Sequence, residues 1–394
     1  MPRWSFFLIF LLIAISVVGG VHYYLYRRLV FGPSLPPPWA NIARITLIVL
    51  AAGIPLSFFA SRALGLSVTR ILVFPIYVWL GVMMLFFFTL VGLDLLRGVG
   101  WLVARLSGHA DWLESADRRL FLSRLVAGVA AATVLPASGV AVVRGLGKLV
   151  VKPVDVVLPN LPREFDGFTI AQLTDLHLGP MRGRSFVQQV VSRTNALKPD
   201  LIAITGDLVD GSVVELSGDT EPIRSLTAPE GVFFVTGNHE YFNDFAGWMK
   251  HLPELGLRVL HNERVTIRRG KAAFDLAGVD DGMGGRLAPG YGADLPKALL
   301  GRDPGRTVVL LAHRPSVVFE AAEHRVGLML AGHTHGGQIW PFSYFVRLAE
   351  PYVSGLHNHD GTQIYVSEGT GFWGPPMRLG TTAEITLVTL RAAG

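Results

Sequence analysis

The pattern of hydrophobic and polar positions changes character once along this chain, near residue 150. Before that point apolar residues run in long blocks; after it they come in short runs, each closed by Gly, Asp, Asn or His. Four early blocks, residues 5–26, 45–60, 71–96 and 125–143, fit the length of about 20 apolar residues that a helix needs to cross a bilayer. The fourth, "LVAGVAAATVLPASGVAVV", is rich in small residues that suit close helix packing in lipid. A cleavable signal peptide, with Arg3 as its basic start, is the rival for the first block. No A-x-A site follows "AISVVGG", and three more blocks do, so an uncleaved anchor is expected. The stretch "WLVARLSGHADWLESADRRLFLSRL" mixes apolar and charged residues at helical spacing and reads as an amphipathic helix at the interface. Asp94, three residues from Arg97, reads as a solvated or paired end residue, and His22 and His109 as structural or exposed.

The later runs read differently. "FTIAQL", "DLIAIT", "GVFFVT", "TVVLLA" and "GLML" are short, continuous and rich in Val, Ile, Leu and Phe, the signature of buried strands. Between them, "SFVQQVVSRTNAL" and "FAGWMKHLPEL" carry apolar residues at helical spacing. Strands alternating with helices imply an α/β layered sheet, whose ligands gather beyond the strands' carboxyl ends. The expected organisation is a membrane anchor of about four helices over residues 1–150 and an α/β domain over residues 151–394.

Composition sharpens this picture. At 394 residues with 50% hydrophobic and only 16% charged, the chain is too apolar for one soluble domain, and the excess lies in the anchor. The absence of cysteine excludes disulfides, thiolate metal sites and cysteine nucleophiles. Net charge is only +5 and many arginines flank the apolar blocks, which fits membrane topology and carries no strong nucleic-acid signal. An even number of spans puts the N-terminus and the C-terminal domain on one side, with Arg3, Arg62, Arg70, Arg144, Lys148 and Lys152. The other side carries eight arginines: Arg27, Arg28, Arg44, Arg97, Arg105, Arg118, Arg119 and Arg124. The positive-inside rule therefore favours a multi-pass protein of the inner membrane with its C-terminal domain outside the cytoplasm.

Every strand-like run ends in chemistry. The ends carry Asp175 and His177, then Asp207 and Asp210, then Asn238, His239 and Glu240, then His313, and finally His333 and His335 in "LAGHTHGGQIWPF". Asp175 and His177 are spaced to enter one metal site together, and Asp207 can bridge two ions. Mixed carboxylate, amide and imidazole donors suit Mn, Fe or Zn better than Ca. Seven donors are many for one ion and fit two that share Asp207.

In order, D-x-H, G-D-x-x-D, G-N-H-E, a lone His and G-H-x-H resemble the calcineurin-like metallophosphoesterase superfamily over roughly residues 155 to 390. The texture "LTDLHLGP", "AHRP" and "GHTHGGQIWPF" is similar to its bacterial membrane-associated branch of YkuE/YaeI type. The resemblance implies a four-layer α-β-β-α sandwich. It implies that Asp175, His177 and His335 hold a first divalent ion, that Asp207 bridges, and that Asn238, His313 and His333 join Asp207 around a second. His239 would face the phosphoryl group and stabilise or protonate it, oriented by Asp210. Two ions about 3.5–4 Å apart would convert a water between them to hydroxide and clamp the phosphate oxygens. No covalent nucleophile is needed, and no G-x-S-x-G elbow is present.

The expected function is hydrolysis of a phosphomonoester, phosphodiester or pyrophosphate. The membrane anchor points to a lipid-linked substrate, such as UDP-diacylglucosamine (a substrate known in the family) or an envelope phospholipid. A nuclease or cyclic-nucleotide phosphodiesterase would need a basic groove with interleaved aromatics, and a non-catalytic metal sensor would not need His239. Oligomeric state is not legible. In "GTGFWGPPMRLG", Arg378 is a candidate clamp for a second phosphate. The glycine-rich residues 280–295 are a candidate lid, and His357 and His359 read as a hairpin loop before a strand. His251, His261 and His324 read as core or surface histidines.

Overall fold

The computed structural model describes residues 3–63, 66–108 and 115–394. The chain divides into two compact units, Met1–Val143 with Gly374–Met377, and Arg144–Trp373 with Arg378–Gly394.

The first unit is helical: Arg3–Tyr26, Pro37–Ala63, Leu66–Leu106 and Ala116–Gly145. All four apolar blocks lie inside these helices, but the helices are longer than the blocks. The second starts at Pro37, where a proline's fixed φ and missing N–H suit a first turn. The third runs 41 residues, because nothing after Leu96 breaks it until Gly108 turns with φ +77°. Among the described residues, three stretches are long and apolar enough to cross a membrane: Pro37–Ser57, Val68–Leu106 and Ala116–Gly145. The expected interfacial helix is divided between the end of the third helix and the start of the fourth, while residues 109–114, with His109, lie outside the described residues.

Two polar groups in this unit pair across its helices, as a low-dielectric setting favours. Asp94 does not pair with Arg97. Its carboxylate takes the guanidinium of Arg28 and the hydroxyl of Tyr24, the latter at 2.6 Å. His22 is buried, with Nδ1 2.8 Å from the Val18 carbonyl and Nε2 accepting the Trp79 indole N–H at 2.9 Å.

The second unit holds two six-stranded sheets. One runs β1 (Val150–Leu158), β12 (Glu384–Ala392), β2 (Thr169–Leu173), β3 (Leu201–Thr205), β4 (Val232–Val235), β5 (Arg258–Val259). The other runs β10 (Gly355–His359), β11 (Thr362–Val366), β9 (Leu328–Ala331), β8 (Val308–Leu311), β7 (Ala272–Gly278), β6 (Glu263–Arg269). Within them β2, β3 and β4 are mutually parallel, as are β7, β8, β9 and β11. These central strands are apolar on both faces because both faces are covered.

Alternation along each strand separates the layers. Val309 and Leu311 of β8 point into a core shared with Leu201, Ala203, Phe233 and Val235 of the other sheet. Val308 and Leu310 point the opposite way, onto Leu295, Ala298, Val318 and Ala321 from helical segments. On the first sheet Ile202 and Ile204 face away from the shared core, on the side covered by helices such as Arg184–Ala196, which buries Val187, Val190 and Val191. The result is four layers, helices–sheet–sheet–helices. Phe165, Phe168 and Phe274 cluster edge-to-face between the sheets at 4.9–5.6 Å, each contributing about 1.5–3 kcal/mol by burial.

Candidate metal centre

The carboxyl ends of β2, β3, β4, β8 and β9 converge, and each delivers one motif. After β2, Asp175 and His177 leave the strand with φ 54° and 48°; after β3, Asp207 has φ 52°; after β9, His333 and His335 have φ 72° and 51°. Left-handed backbone at a non-glycine residue costs of order 1–3 kcal/mol and persists only where the surroundings impose it. Here the imposition is visible. Asp175 N–H bonds the Gly206 carbonyl at 3.0 Å and His177 N–H the Asp207 carbonyl at 3.1 Å, so the β2 and β3 loops remain paired beyond their strands. Gly332 N–H bonds the His313 carbonyl at 3.0 Å and does the same for the second sheet. Gln172 donates across to the Ala331 carbonyl at 2.9 Å and ties the sheets together.

Close approach explains two glycines. A Cβ on Gly332 would overlap Thr174 Oγ1 and Asp175 Oδ2, and one on Gly237 would overlap the Asp207 carboxylate.

The side chains form two triads whose donor atoms lie within 4.8 Å of one another: Asp175, His177 and His335, and Asp207, His313 and His333. Within the first, His177 Nε2 and His335 Nε2 are 3.1 Å apart, and His335 Nε2 is 3.4 Å from Asp175 Oδ1. Within the second, His313 Nε2 is 3.1 Å from Asp207 Oδ2 and 3.2 Å from His333 Nδ1. Asp207 Oδ2 is also 3.8 Å from His177 Nε2, so it stands between the triads. His313 Nδ1 lies 2.8 Å from the Thr205 carbonyl; a proton there leaves Nε2 a free lone pair aimed inward. Asn238 Oδ1 is buried with no hydrogen-bond partner, an orphan acceptor of the kind a cation satisfies. These donors and their lone pairs fit divalent metal.

A third group, His177, Asp210 and His239, sits beside them. One oxygen, Asp210 Oδ1, faces His239 Nδ1 at 2.6 Å and His177 Nδ1 at 3.0 Å. Sequence reasoning linked Asp210 to His239 alone; the structure gives it both rings. The electrostatics follow. Burial would raise the Asp210 carboxyl, but the His177 and His239 rings outweigh it and hold it well below the usual range. Burial would lower His239 and His313, yet Asp207 above all, helped by Asp210 at His239, raises them to about 9 and about 10. Burial, aided by the neighbouring imidazoles, pushes His333 and His335 well below 6.5, which keeps them neutral and ready to ligate.

Other braces escaped the sequence reading. Glu240 is fully buried and accepts from Gly237 N–H at 2.6 Å, Asp207 N–H at 3.1 Å and Leu208 N–H at 2.7 Å, so it locks two ligand loops together. Its only sequence signal is its place in G-N-H-E. Arg314 puts one guanidinium nitrogen 3.2 Å from His333 Nε2 and bonds Asp281 at 2.8 Å, while Glu350 lies 3.8 Å from the same His333 nitrogen.

Arg378 is a correction. It does not face a second phosphate: it is fully buried and donates to the carbonyls of Glu368, Gly369 and Gly371 at 2.7, 3.1 and 2.6 Å and to Thr381 Oγ1 at 3.2 Å. It is a strut under the loop that ends at Trp373. The candidate lid is pinned at its start, where buried Asp280 holds His261 at 2.7 Å and buried Asp281 holds Arg314. His357 and His359 lie on β10 rather than in a loop, His357 bonded to the Ser354 carbonyl and His359 to Tyr352. His251 pairs with Glu254 at the surface.

Comparison with known proteins agrees with this geometry. Residues 168–337 match the calcineurin-like phosphoesterase family. An uncharacterized metallophosphoesterase of Campylobacter jejuni is 30% identical over 391 residues, spanning 98% of this chain and 99% of that protein. The chain belongs to the calcineurin-like phosphoesterases. The uncharacterized metallophosphoesterase YkuE of Bacillus subtilis is 30% identical, covering 71% of this chain and 99% of that protein. A transmembrane protein with metallophosphoesterase domain from Danio rerio is 39% identical over 252 residues, 61% of this chain and 58% of that protein. The chain thus matches little more than half of the length of that animal relative. Its relatives are named metallophosphoesterases, and three of its described helical stretches are long and apolar enough to cross a membrane.

Proposed function

We propose that this chain is a multi-pass membrane phosphohydrolase that works with two divalent ions. In this reading residues 1–150 are the anchor and residues 151–394 the catalytic domain. The observation that carries it is the position of Asp207 Oδ2, 3.1 Å from His313 Nε2 and 3.8 Å from His177 Nε2, between two separate ligand triads. Asp175, His177 and His335 would hold one ion; Asn238, His313 and His333 the other; Asp207 both. Such ions acidify a water and neutralise phosphoryl charge; Mn, Fe or Zn suit the donor set.

The protein's own groups do the rest. The Asp207 and Asp210 carboxylates keep His239 protonated at neutral pH, so its Nε2 face offers a positive donor to a phosphoryl oxygen or a proton to the leaving oxygen. Asp210 fixes the ring's direction through Nδ1 at 2.6 Å. Glu240 keeps the β3 and β4 loops in register so that Asp207 and Asn238 meet the same space.

The substrate is a phosphoester or pyrophosphate, and the membrane anchor favours one carried on lipid. The basic residues flanking the apolar blocks favour an extracytoplasmic catalytic domain. Hydrolysis of bis(p-nitrophenyl) phosphate by the purified full chain, titrated with each metal, tests the chemistry. Activity that needs no metal, or that survives Asp207→Asn undiminished, would sink this reading. A compartment-specific reporter fused after Gly394 tests the side: a cytoplasmic signal would redirect the substrate search to nucleotide-linked lipids.

A further inference from the structure

Six large apolar side chains stand in solvent on two adjoining loops of the catalytic unit. Trp340, Phe342, Tyr344, Phe345, Leu348 and Trp373 are between 42% and 84% exposed. Five of them fall within residues 340–348, and the single helical turn there, Ser343–Val346, buries no residue at all. Scattered exposed hydrophobics need no explanation, but a run of this density marks a surface that meets something apolar.

The loops are joined to each other and to the metal centre. Gln338 donates to the Trp373 carbonyl at 2.9 Å and accepts its N–H at 3.0 Å, while Trp340 N–H bonds the Leu379 carbonyl at 2.9 Å. Gly337, two residues after His335, packs so closely on Ser343 that no side chain would fit. The Trp373 ring lies 5.8 Å from that of His239. The rim is therefore linked to the candidate metal centre through Trp373, while Phe345 and Leu348 belong to its other loop.

We propose that this aromatic rim docks into the interfacial zone of the bilayer that carries the chain's own membrane-spanning helices, and so offers the metal centre to phosphoesters at the lipid surface. Two observations choose lipid over another occupant. Three described stretches of the chain are long and apolar enough to cross a membrane, which puts a bilayer within reach. The exposed residues are Trp, Tyr, Phe and Leu with Arg347 as the only charge in 340–348, which matches the mixed apolar and anionic character of a headgroup layer. The substrate half of the proposal rests on the phosphohydrolase reading; the docking half does not.

The natural absence of cysteine makes the test direct. Phe345→Cys and Leu348→Cys, each labelled with an environment-sensitive fluorophore, are compared in the full chain in anionic phospholipid nanodiscs with Leu300→Cys, an exposed control on another loop. The expected result is quenching of 345 and 348 by a shallow lipid-attached nitroxide and protection from aqueous iodide, with the reverse at 300. Labels that behave like the control overturn the proposal. So do labels shielded from both quenchers, which would mean that protein, a second copy included, covers the rim. A kinetic arm tests the substrate half: Phe345→Asp with Leu348→Asp should lower turnover of a vesicle-embedded phosphoester about tenfold and leave bis(p-nitrophenyl) phosphate hydrolysis unchanged. Equal loss on both substrates refutes the role in presentation. A wild type that hydrolyses neither refutes the phosphohydrolase reading, and the quenching result still decides the docking.

Discussion

Replacing Asp210 by Asn removes one charge and no atoms of bulk from the point where two imidazoles meet. Asp210 Oδ1 serves His239 Nδ1 at 2.6 Å and His177 Nδ1 at 3.0 Å, so the substitution weakens two bonds at once. A hydrogen bond to a charged group contributes about 1.5–3 kcal/mol and a neutral one about 0.5–1.5, a loss of roughly 1–1.5 kcal/mol at each ring. At 1.36 kcal/mol per decade that is roughly tenfold per ring. The two rings do different work, so the losses separate. Through His177 the dissociation constant for metal should rise about tenfold, and through His239 kcat at saturating metal should fall about tenfold, within the range known for partners of ligating histidines. Calorimetric metal titration reads the first and steady-state hydrolysis of bis(p-nitrophenyl) phosphate reads the second. In a His239→Asn background, Asp210→Asn should still weaken metal binding but lower kcat no further. If kcat drops again by the full factor there, Asp210 does not act through His239, and the dual assignment is wrong.

Gly332→Ala should force Asp175 and Thr174 aside, costing about 1–3 kcal/mol of stability, and should weaken metal binding; a wild-type rise in Tm on adding metal would contradict it. Arg378→Lys should destabilise the catalytic unit by about 2–3 kcal/mol, because a single ammonium nitrogen on a shorter stem cannot reach both the three carbonyls that face Nη2 and the Thr381 hydroxyl that faces Nη1, yet leave KM unchanged; a raised KM with unchanged Tm would restore a substrate role. His313 holds a proton up to about pH 10 in the ion-free protein, and that proton must leave before Nε2 can bind. Metal affinity should therefore rise with pH, about tenfold per unit below that value, with proton release measurable in buffers of different ionisation enthalpy; binding without proton release would exclude this.

The residues that were legible in the sequence share one physical property: each closes a short apolar run. A strand buried on both faces places most of its polar groups where it ends, so the apolar runs of β2, β3, β4, β8 and β9 point to Asp175, Asp207, Asn238, His313 and His333. What was not legible depends on contacts far apart in the chain. That β12 sits between β1 and β2 joins residues more than 200 positions apart, and no local pattern encodes it. Arg378 looked available because an arginine in a Gly- and Pro-rich loop is ordinarily exposed; only the fold brings three carbonyls and Thr381 around it. The second duty of Asp210 has the same origin. Spacing within G-D-x-x-D relates it to Asp207, but its meeting with both His177 and His239 is set by the pairing of the β2 and β3 loops beyond their strands. Local patterning thus points to the candidate metal donors, whereas the groups that brace them, Glu240, Arg378 and Asp210, are products of loop-to-loop register. A sequence search for further members of this kind should therefore weigh the donors by order and the braces by their distance from strand ends, since a chain that keeps every donor and loses Glu240 would have the ligands without the geometry that makes them meet.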